Sequence, residues 1–395
     1  MYHTFEQGTF IQTCRRAAAE GAVLLRNEKE TLPIKKGETV SVFGRIQKDF
    51  YKSGTGSGGS VNVPYQTNLL DSLRTCDEIR INEELAGLYE SWIEENPFDG
   101  GDGTWASEPW KQREMPLTEE VVKKAAEQSD KALVVIGRTA GESKDYILEQ
   151  GSLLLDPAEQ EMLNLVTGYF TRTAVILNTG SILDMSFLDE EYKNPVTSVL
   201  YGWQGGQEGG NAAADLLTGK VTPCGKLADT IAVNMEEYPS NDNFGGSQED
   251  VYQEDVYVGY RFFETFARGK VRFPFGYGMS YTDFSTKVLG GCVDGENVKV
   301  EVQVRNTGAR YAGREVVQVY YSAPQRVLGR PARELAAFAK TQQLSPGGSE
   351  NLTLSFPLAD MSAYDDGGYT GNKSCYVHHS HCHHNHRNFP QNIET

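Results

Sequence analysis

The chain has 395 residues, and its content of 39% hydrophobic and 23% charged residues is typical of a soluble globular protein with room for two domains. A formal net charge of −17 argues against nucleic acid and anionic membranes as partners. No apolar run approaches the ~20 residues that span a bilayer, and the N-terminus lacks the basic start and apolar core of a secretory signal. We therefore expect a cytoplasmic protein.

Helix-like and strand-like segments alternate over residues 1–235. Predicted buried strands lie at 22–25, 40–43, 132–136, 173–177 and 197–201, and helices at 10–20, 68–73, 82–95, 118–129 and 206–217. A further helix begins after Asp156, a good N-cap that is followed by Pro157 in the first turn and by Glu159 at the third position. This alternation predicts an α/β domain whose mostly parallel sheet is sandwiched by helices.

The pattern changes near residue 285. Residues 298–304 alternate apolar and polar side chains, and residues 315–321 and 351–356 read as further strands, with a Ser-Pro-Gly-Gly turn at 345–348. These features predict an antiparallel β-sandwich over 284–377. The connecting segment 236–283 is rich in Asn, Gly, Tyr and Phe, so we expect it to pack against a neighbour.

Six of the seven histidines lie near the C-terminus, together with two of the six cysteines. Four other cysteines are scattered without disulfide or metal spacing and are interpreted as small buried side chains: Cys14, Cys76, Cys224 and Cys292. The C-terminal group comprises Cys375, His378, His379, His381, Cys382, His383, His384 and His386. Such side chains bind zinc or nickel, but no apolar framework surrounds them to fix a geometry. We predict a disordered tail over 378–395 that binds metals loosely, rather than a defined metal site.

The loop Arg138–Asp145 carries the clearest functional signal. It follows the strand predicted at 132–136, and open α/β sheets bind ligands just past the carboxyl ends of their strands. Glu142, between Gly141 and Ser143, is a carboxylate suited to acid/base chemistry there. The second carboxylate that such chemistry needs is not found in the sequence.

Two glycine-rich segments have structural interpretations. Gly54–Gly59 fits the G-x-G-x-x-G pattern, but Pro64 follows where a dinucleotide site needs a helix. We interpret it as a flexible loop at the carboxyl edge of the sheet that touches substrate. Gly205–Gly210 lies between a strand and a helix, where Glu208 can favour the helix N-terminus.

Several segments together resemble glycoside hydrolase family 3. The similarity extends over residues 15–370, and the motifs occur in the family's order: Ala19–Asn27 with Leu32-Pro33, Gly205–Gly210, Ala213–Leu217, Pro223–Leu227, Gly259–Glu264, Phe273–Tyr281, Val316–Tyr321 and Arg330–Leu335. The resemblance implies an α/β sandwich domain followed by a fibronectin type III-like domain.

The resemblance also implies an activity and a site. Family members of this type are mostly retaining β-glucosidases without metal or organic cofactor, which use a nucleophile and an acid/base carboxyl group about 5 Å apart. The acid/base lies in a Gly-Glu-x-x-Asp setting, which here makes Glu142 the acid/base, with a pKa raised by burial and by the nucleophile. Asp145 and Arg138 of the same loop become candidate substrate contacts. Where the family often has Arg, this chain has Tyr146.

The nucleophile of the family is an aspartate on a separate (β/α)8 barrel, usually in a Ser-Asp-Trp setting that this chain lacks. Some members carry the barrel after the fibronectin-like domain, and this N-terminus fits that reversed order. The resemblance ends near Tyr376-Val377, where a last strand is expected. From His378 onward the sequence reads like a shifted reading frame or a truncated product, which sequencing the DNA through codon 378 tests.

We therefore predict the barrel-less part of a β-glucosidase that hydrolyses terminal β-glucosides, inactive alone, with β-linked glucosides and a family 3 barrel as its partners. Two alternatives stay open. One is a non-catalytic carbohydrate-binding or assembly module of a family 3 enzyme. The other is a metal-binding protein acting through its tail.

Overall fold

The computed structural model describes residues 7–59, 61–245, 249, 251–324, 329–365, 368–370, 376–380 and 393–394. The chain divides into two compact units, Met1–Gly225 and Lys226–Thr395, so the boundary predicted at 235 falls inside the second unit. Among the described residues, no helix is long and apolar enough to cross a membrane.

The first unit is built on a six-stranded sheet. In chain order its strands are β1 Val23–Asn27, β2 Thr39–Phe43, β3 Arg80–Ile81, β4 Lys131–Gly137, β5 Thr173–Asn178 and β6 Ser198–Tyr201. Their order across the sheet is β1-β6-β5-β4-β2-β3. Every neighbouring pair is parallel except β1 and β6, which confirms the predicted mostly parallel sheet. All residues of β4 and β5 are buried, as expected for central strands covered on both faces.

In the described part of this unit, six α-helices accompany the sheet: α1 Gln7–Gly21, α2 Leu69–Arg74, α3 Glu83–Glu95, α4 Glu119–Gln128, α5 Pro157–Tyr169 and α6 Gly209–Leu217. α1 and α2 pack on α6, whereas α4 packs on α5. The predicted start of α5 is confirmed, because Asp156 and Glu159 form a reciprocal capping box with Pro157 in the first turn. Asn68, Asn82 and Thr118 cap α2, α3 and α4 through their side chains.

The second unit begins with β7 Ile231–Ala232, and the connecting segment then contributes α7 Tyr260–Phe266 and β8 Val271–Phe273. The strands that follow are β9 Phe284–Asp294, β10 Asn297–Asn306, β11 Val316–Ser322, β12 Glu334–Lys340, β13 Ser349–Pro357, β14 Ala363–Asp365, β15 Gly368–Thr370, β16 Tyr376–Ser380 and β17 Ile393–Glu394. Two antiparallel sheets, β13-β10-β9 and β12-β11-β16-β17, form the sandwich. Alternate valines of β10 (298, 300, 302 and 304) are buried against β11 and β13, as the period of two predicts.

The last predicted strand has a counterpart in β16, which pairs antiparallel with β11 from Ser322↔Tyr376 to Gln318↔Ser380. Residues 378–380 of the predicted tail therefore belong to a strand. Residues 371–375, 381–392 and 395 lie outside the described residues, and with them most of the histidines and both C-terminal cysteines.

Candidate active site

The loop that carries Glu142 leaves the carboxyl end of β4. Gly141 N donates to Lys144 O at 3.1 Å and Lys144 N donates back to Gly141 O at 2.9 Å, which closes a tight turn around Glu142 and Ser143. Ser143 adopts a positive φ of 64° at the turn. The Glu142 side chain is thereby held at the surface, and the described residues do not form the closed environment expected for an acid/base.

The glycine-rich loop 54–59 lies directly against this turn. Thr55 N donates to Ala140 O at 2.9 Å, and Thr55 forms a parallel bridge with Gly141. A Cβ on Gly54 would lie 2.2 Å from Ala140 O, and a Cβ on Gly141 would lie 2.2 Å from Thr55 O. The two backbones therefore approach as closely as they do because both positions lack a side chain.

Ser57 binds the carboxylate of Glu142, the candidate acid/base, by a hydrogen bond. Its Oγ donates to Glu142 Oε2 at 2.7 Å, and its backbone N lies 3.4 Å from the same oxygen. The sequence predicts that this loop touches substrate, but it does not distinguish Ser57 from the other residues of the loop. No local pattern marks Ser57, because its partner Glu142 lies 85 residues away in the chain.

The side chain of Trp105 lies beside Gly56 and Glu142. A Cβ on Gly56 would lie 2.8 Å from Glu142 Cβ and 3.4 Å from Trp105 Cζ2, so both side chains flank this glycine. Trp105 is 56% exposed. An exposed indole beside a candidate acid/base offers an apolar face of the kind that stacks on sugar rings.

A second tryptophan, Trp110, contacts the Glu142 loop at Lys144 and Asp145. Trp110 Nε1 donates to Asp145 O at 3.0 Å, and the Lys144 ammonium lies 5.3 Å from the Trp110 ring centroid. Lys144 also donates to the backbone oxygens of Ala106 and Glu108. Burial raises the pKa of the Glu108 carboxyl, and the nearby Lys144 opposes that shift.

The three predicted site residues occupy different environments. Glu142 and Asp145 are exposed on the loop. Arg138 is fully buried and forms a bidentate pair with Glu159, with N–O distances of 2.6 and 2.7 Å. Its Nε donates to Ser152 O at 2.8 Å. This placement argues against the expected substrate contact by Arg138 and assigns it to anchoring the base of the loop.

Other candidates take structural roles. Glu208, expected to favour the start of α6, is buried and accepts hydrogen bonds from Tyr65 Oη at 2.5 Å and Asn211 Nδ2 at 2.9 Å. The bond to Glu208 raises the pKa of Tyr65 to about 12. Within the described part of the chain, no group of three or more His, Cys, Asp or Glu side chains could hold a metal ion.

Comparison with known families decides the relationship. The family model described as the glycosyl hydrolase family 3 C-terminal domain matches residues 22–281, and that of the fibronectin type III-like domain matches residues 315–380. The chain belongs to glycoside hydrolase family 3. The family assignment and both domain types predicted from the sequence motifs are confirmed.

Relatives of this family 3 chain are β-glucosidases. It is 46% identical over 368 residues to a β-glucosidase of Ruminococcus albus, covering 93% of this chain and 38% of that protein. It is 37% identical over 399 residues to β-glucosidase A of Butyrivibrio fibrisolvens, covering 91% and 47%. The chain therefore spans less than half the length of these two relatives.

Solved structures agree with the fold. A β-glucosidase from Paenibacillus barengoltzii superposes with a TM-score of 0.93 at 50% identity, covering 100% of this chain and 43% of that one. β-Glucosidase 3B from Thermotoga neapolitana, solved in complex with α-D-glucose, gives a TM-score of 0.88 at 33% identity, covering 99% and 54%. The fold of this chain is thus similar to that of β-glucosidases of known structure.

Proposed function

We propose that this chain is the part of a retaining β-glucosidase that supplies the acid/base, and that a family 3 barrel supplies the nucleophile. The observation that carries this proposal is the hydrogen bond from Ser57 to Glu142 Oε2, which leaves Oε1 to face a glycosidic oxygen. The relatives' β-glucosidase names support β-glucosides as substrates.

In this proposal Glu142 works in two steps. It first donates a proton to the leaving oxygen while the barrel aspartate attacks the anomeric carbon, and it then removes a proton from the water that releases the sugar. Trp105 is exposed beside Glu142, and in this proposal its ring stacks on the leaving group. Neither step is available to this chain alone, because the second carboxylate is supplied by the barrel.

The test uses a chimera in which this chain replaces the matching region of the Ruminococcus albus β-glucosidase. We expect the isolated chain to show no hydrolysis of nitrophenyl α- or β-glycosides, and the chimera to hydrolyse the β-glucoside. The Glu142→Gln chimera should lose turnover on substrates with poor leaving groups but keep glycosyl transfer from dinitrophenyl glucoside, because that leaving group needs no proton.

Added azide distinguishes the acid/base from a structural glutamate. Since azide attacks the glycosyl-enzyme without help from a base, it should restore turnover of dinitrophenyl glucoside by the Glu142→Gln chimera and yield glucosyl azide of retained configuration. Asp145→Asn is the matched control on the same loop, and azide should not accelerate it. β-Glucosidase activity of the isolated chain would overturn the proposal, as would an active Glu142→Gln chimera that is insensitive to azide.

A further inference from the structure

The second unit exposes a set of large apolar side chains that the proposed chemistry does not use. We call it the connector patch, and it consists of Phe244, Val251, Tyr252, Val256, Val258 and Phe266. Their exposed fractions range from 48% for Val256 to 92% for Tyr252. Contiguous apolar patches on a protein surface mark sites of interaction.

Hydrogen bonds and a ring contact connect the parts of the chain that carry the patch. Asn243 Nδ2 donates to Val251 O at 2.8 Å, which ties the Phe244 end to the turns at 251–258. Those turns are closed by bonds such as Tyr257 N to Glu254 O at 2.8 Å. The centroid of the Tyr257 ring lies 4.8 Å from that of the Phe266 ring. This contact connects the turns to the last residue of α7.

The other side of the segment is fixed to the fibronectin-like domain. Leu335 N donates to Tyr260 Oη at 2.8 Å, and Ala332 N donates to Thr265 Oγ1 at 2.9 Å. Glu264 pairs with Arg333. The patch is therefore presented on a segment that is anchored by these contacts.

We infer that the connector patch is the docking surface for the catalytic barrel, an inference that rests on the proposed function. The relatives contain more than half of their length outside the region that this chain matches, so a large partner of this family is available. Interfaces between domains bury about 600–1,500 Å², a size to which six large side chains contribute substantially.

The charges around the patch favour this occupant over a second copy. Glu249 and Asp255 are exposed at its edge and Glu254 is half-buried there. Two copies of a chain with net charge −17 would bring these carboxylates together, which is unfavourable. The matching barrel surface is expected to be apolar with a rim of Lys and Arg.

Hydroxyl-radical footprinting with mass spectrometry tests the assignment, using the full chain and the chimera described above. We expect oxidation of Tyr252 to fall at least fivefold in the chimera, whereas Phe338, 70% exposed on β12, reacts equally in both. Equal oxidation of Tyr252 in both proteins would overturn the inference. If Tyr252 of the isolated chain becomes more protected as the chain concentration rises, the patch binds a second copy of the chain. That result would also overturn the inference.

A variant separates docking from chemistry. The chimera with Val251→Ser, Tyr252→Ser and Val256→Ser should lose the cooperative thermal transition shared by barrel and chain, and Phe338→Ser should keep it. A shared transition retained in the triple variant would contradict the inference. The Glu142→Gln chimera should still protect Tyr252 from oxidation, because the substitution does not alter the connector patch. The footprint therefore tests docking of the barrel independently of the acid/base role of Glu142.

Discussion

Ser57 Oγ lies 2.7 Å from Glu142 Oε2, across the contact between two loops that are 85 residues apart in the chain. The hydroxyl donates, so Oε2 is occupied and the orientation of the carboxyl group is fixed. In the proposed acid/base role, Glu142 would exchange its proton through Oε1. The loops meet through backbone bonds as well, so the position of Glu142 depends on the glycine-rich loop as a whole.

Removing the Ser57 hydroxyl is expected to impair catalysis more than substrate binding. In the chimera, Ser57→Ala should lower kcat about tenfold, equivalent to ~1.4 kcal/mol of barrier, because the carboxyl group loses its fixed orientation. Ser57→Thr keeps a hydroxyl and should retain most of the activity. Steady-state kinetics on an aryl β-glucoside gives kcat and KM for each variant. A change confined to KM would assign Ser57 to substrate binding.

The close approach of the two loops predicts a steric effect at Gly141. A Cβ in Gly141→Ala would meet Thr55 O at 2.2 Å and force the loops apart, at a cost of about 1–3 kcal/mol in the free energy of unfolding. Gly58→Ala is the matched control, because a Cβ there meets nothing within 4 Å. Urea unfolding of the chain measures both. Equal stability of the two variants would show that the loops can separate freely.

Local signals in the sequence sufficed for much of the fold. Asp156, Pro157 and Glu159 mark a helix start within four residues, and the valines of β10 show which face of the strand is buried. Both patterns involve residues that are close together along the chain, so the structural element can be predicted from the local sequence. The position of the Glu142 loop followed equally from the buried strand before it.

The remaining site features depend on partners far away in sequence. Arg138 looked like a substrate contact because it lies in the Glu142 loop, but its charge is neutralised by Glu159 on α5. Ser57 carried no individual signal, because its importance arises from the packing of two loops. The antiparallel direction of β1 is likewise set by its pairing with β6, which lies far along the chain, and no local pattern indicates it.

The buried pair of Arg138 and Glu159 should be essential for stability. Arg138→Met leaves the Glu159 carboxylate buried without its cation, and we expect a loss of about 3–5 kcal/mol in the free energy of unfolding. Adding Glu159→Gln removes the buried charge and keeps an acceptor for Asp156 N, which Glu159 Oε2 now binds at 3.0 Å. The double variant should therefore be more stable than Arg138→Met in denaturant unfolding, and a further loss would refute the explanation.

Glu114 should make stability depend on pH. Burial raises the pKa of its carboxyl to about 7, although the backbone N–H groups of Arg45 and Met115, which donate to it, oppose the shift. With an ordinary pKa of 4.5 in the unfolded chain, the folded state binds the extra proton between these values. Stability from this group is therefore complete below about pH 4.5, falls as pH rises to about 7, and is constant above.

Replacing Glu114 by Gln removes this titration and keeps an oxygen that can accept both bonds. We expect Glu114→Gln to match the parent chain near pH 4.5 and to exceed its stability by ~3 kcal/mol above pH 7, from 1.36 kcal/mol per pKa unit. Urea unfolding from pH 4.5 to 8 gives the difference at each pH. Glu95→Gln, an exposed change at the end of α3, controls for the lost surface charge. A stability difference that does not grow with pH would mean that Glu114 is ionised in the folded chain throughout this range.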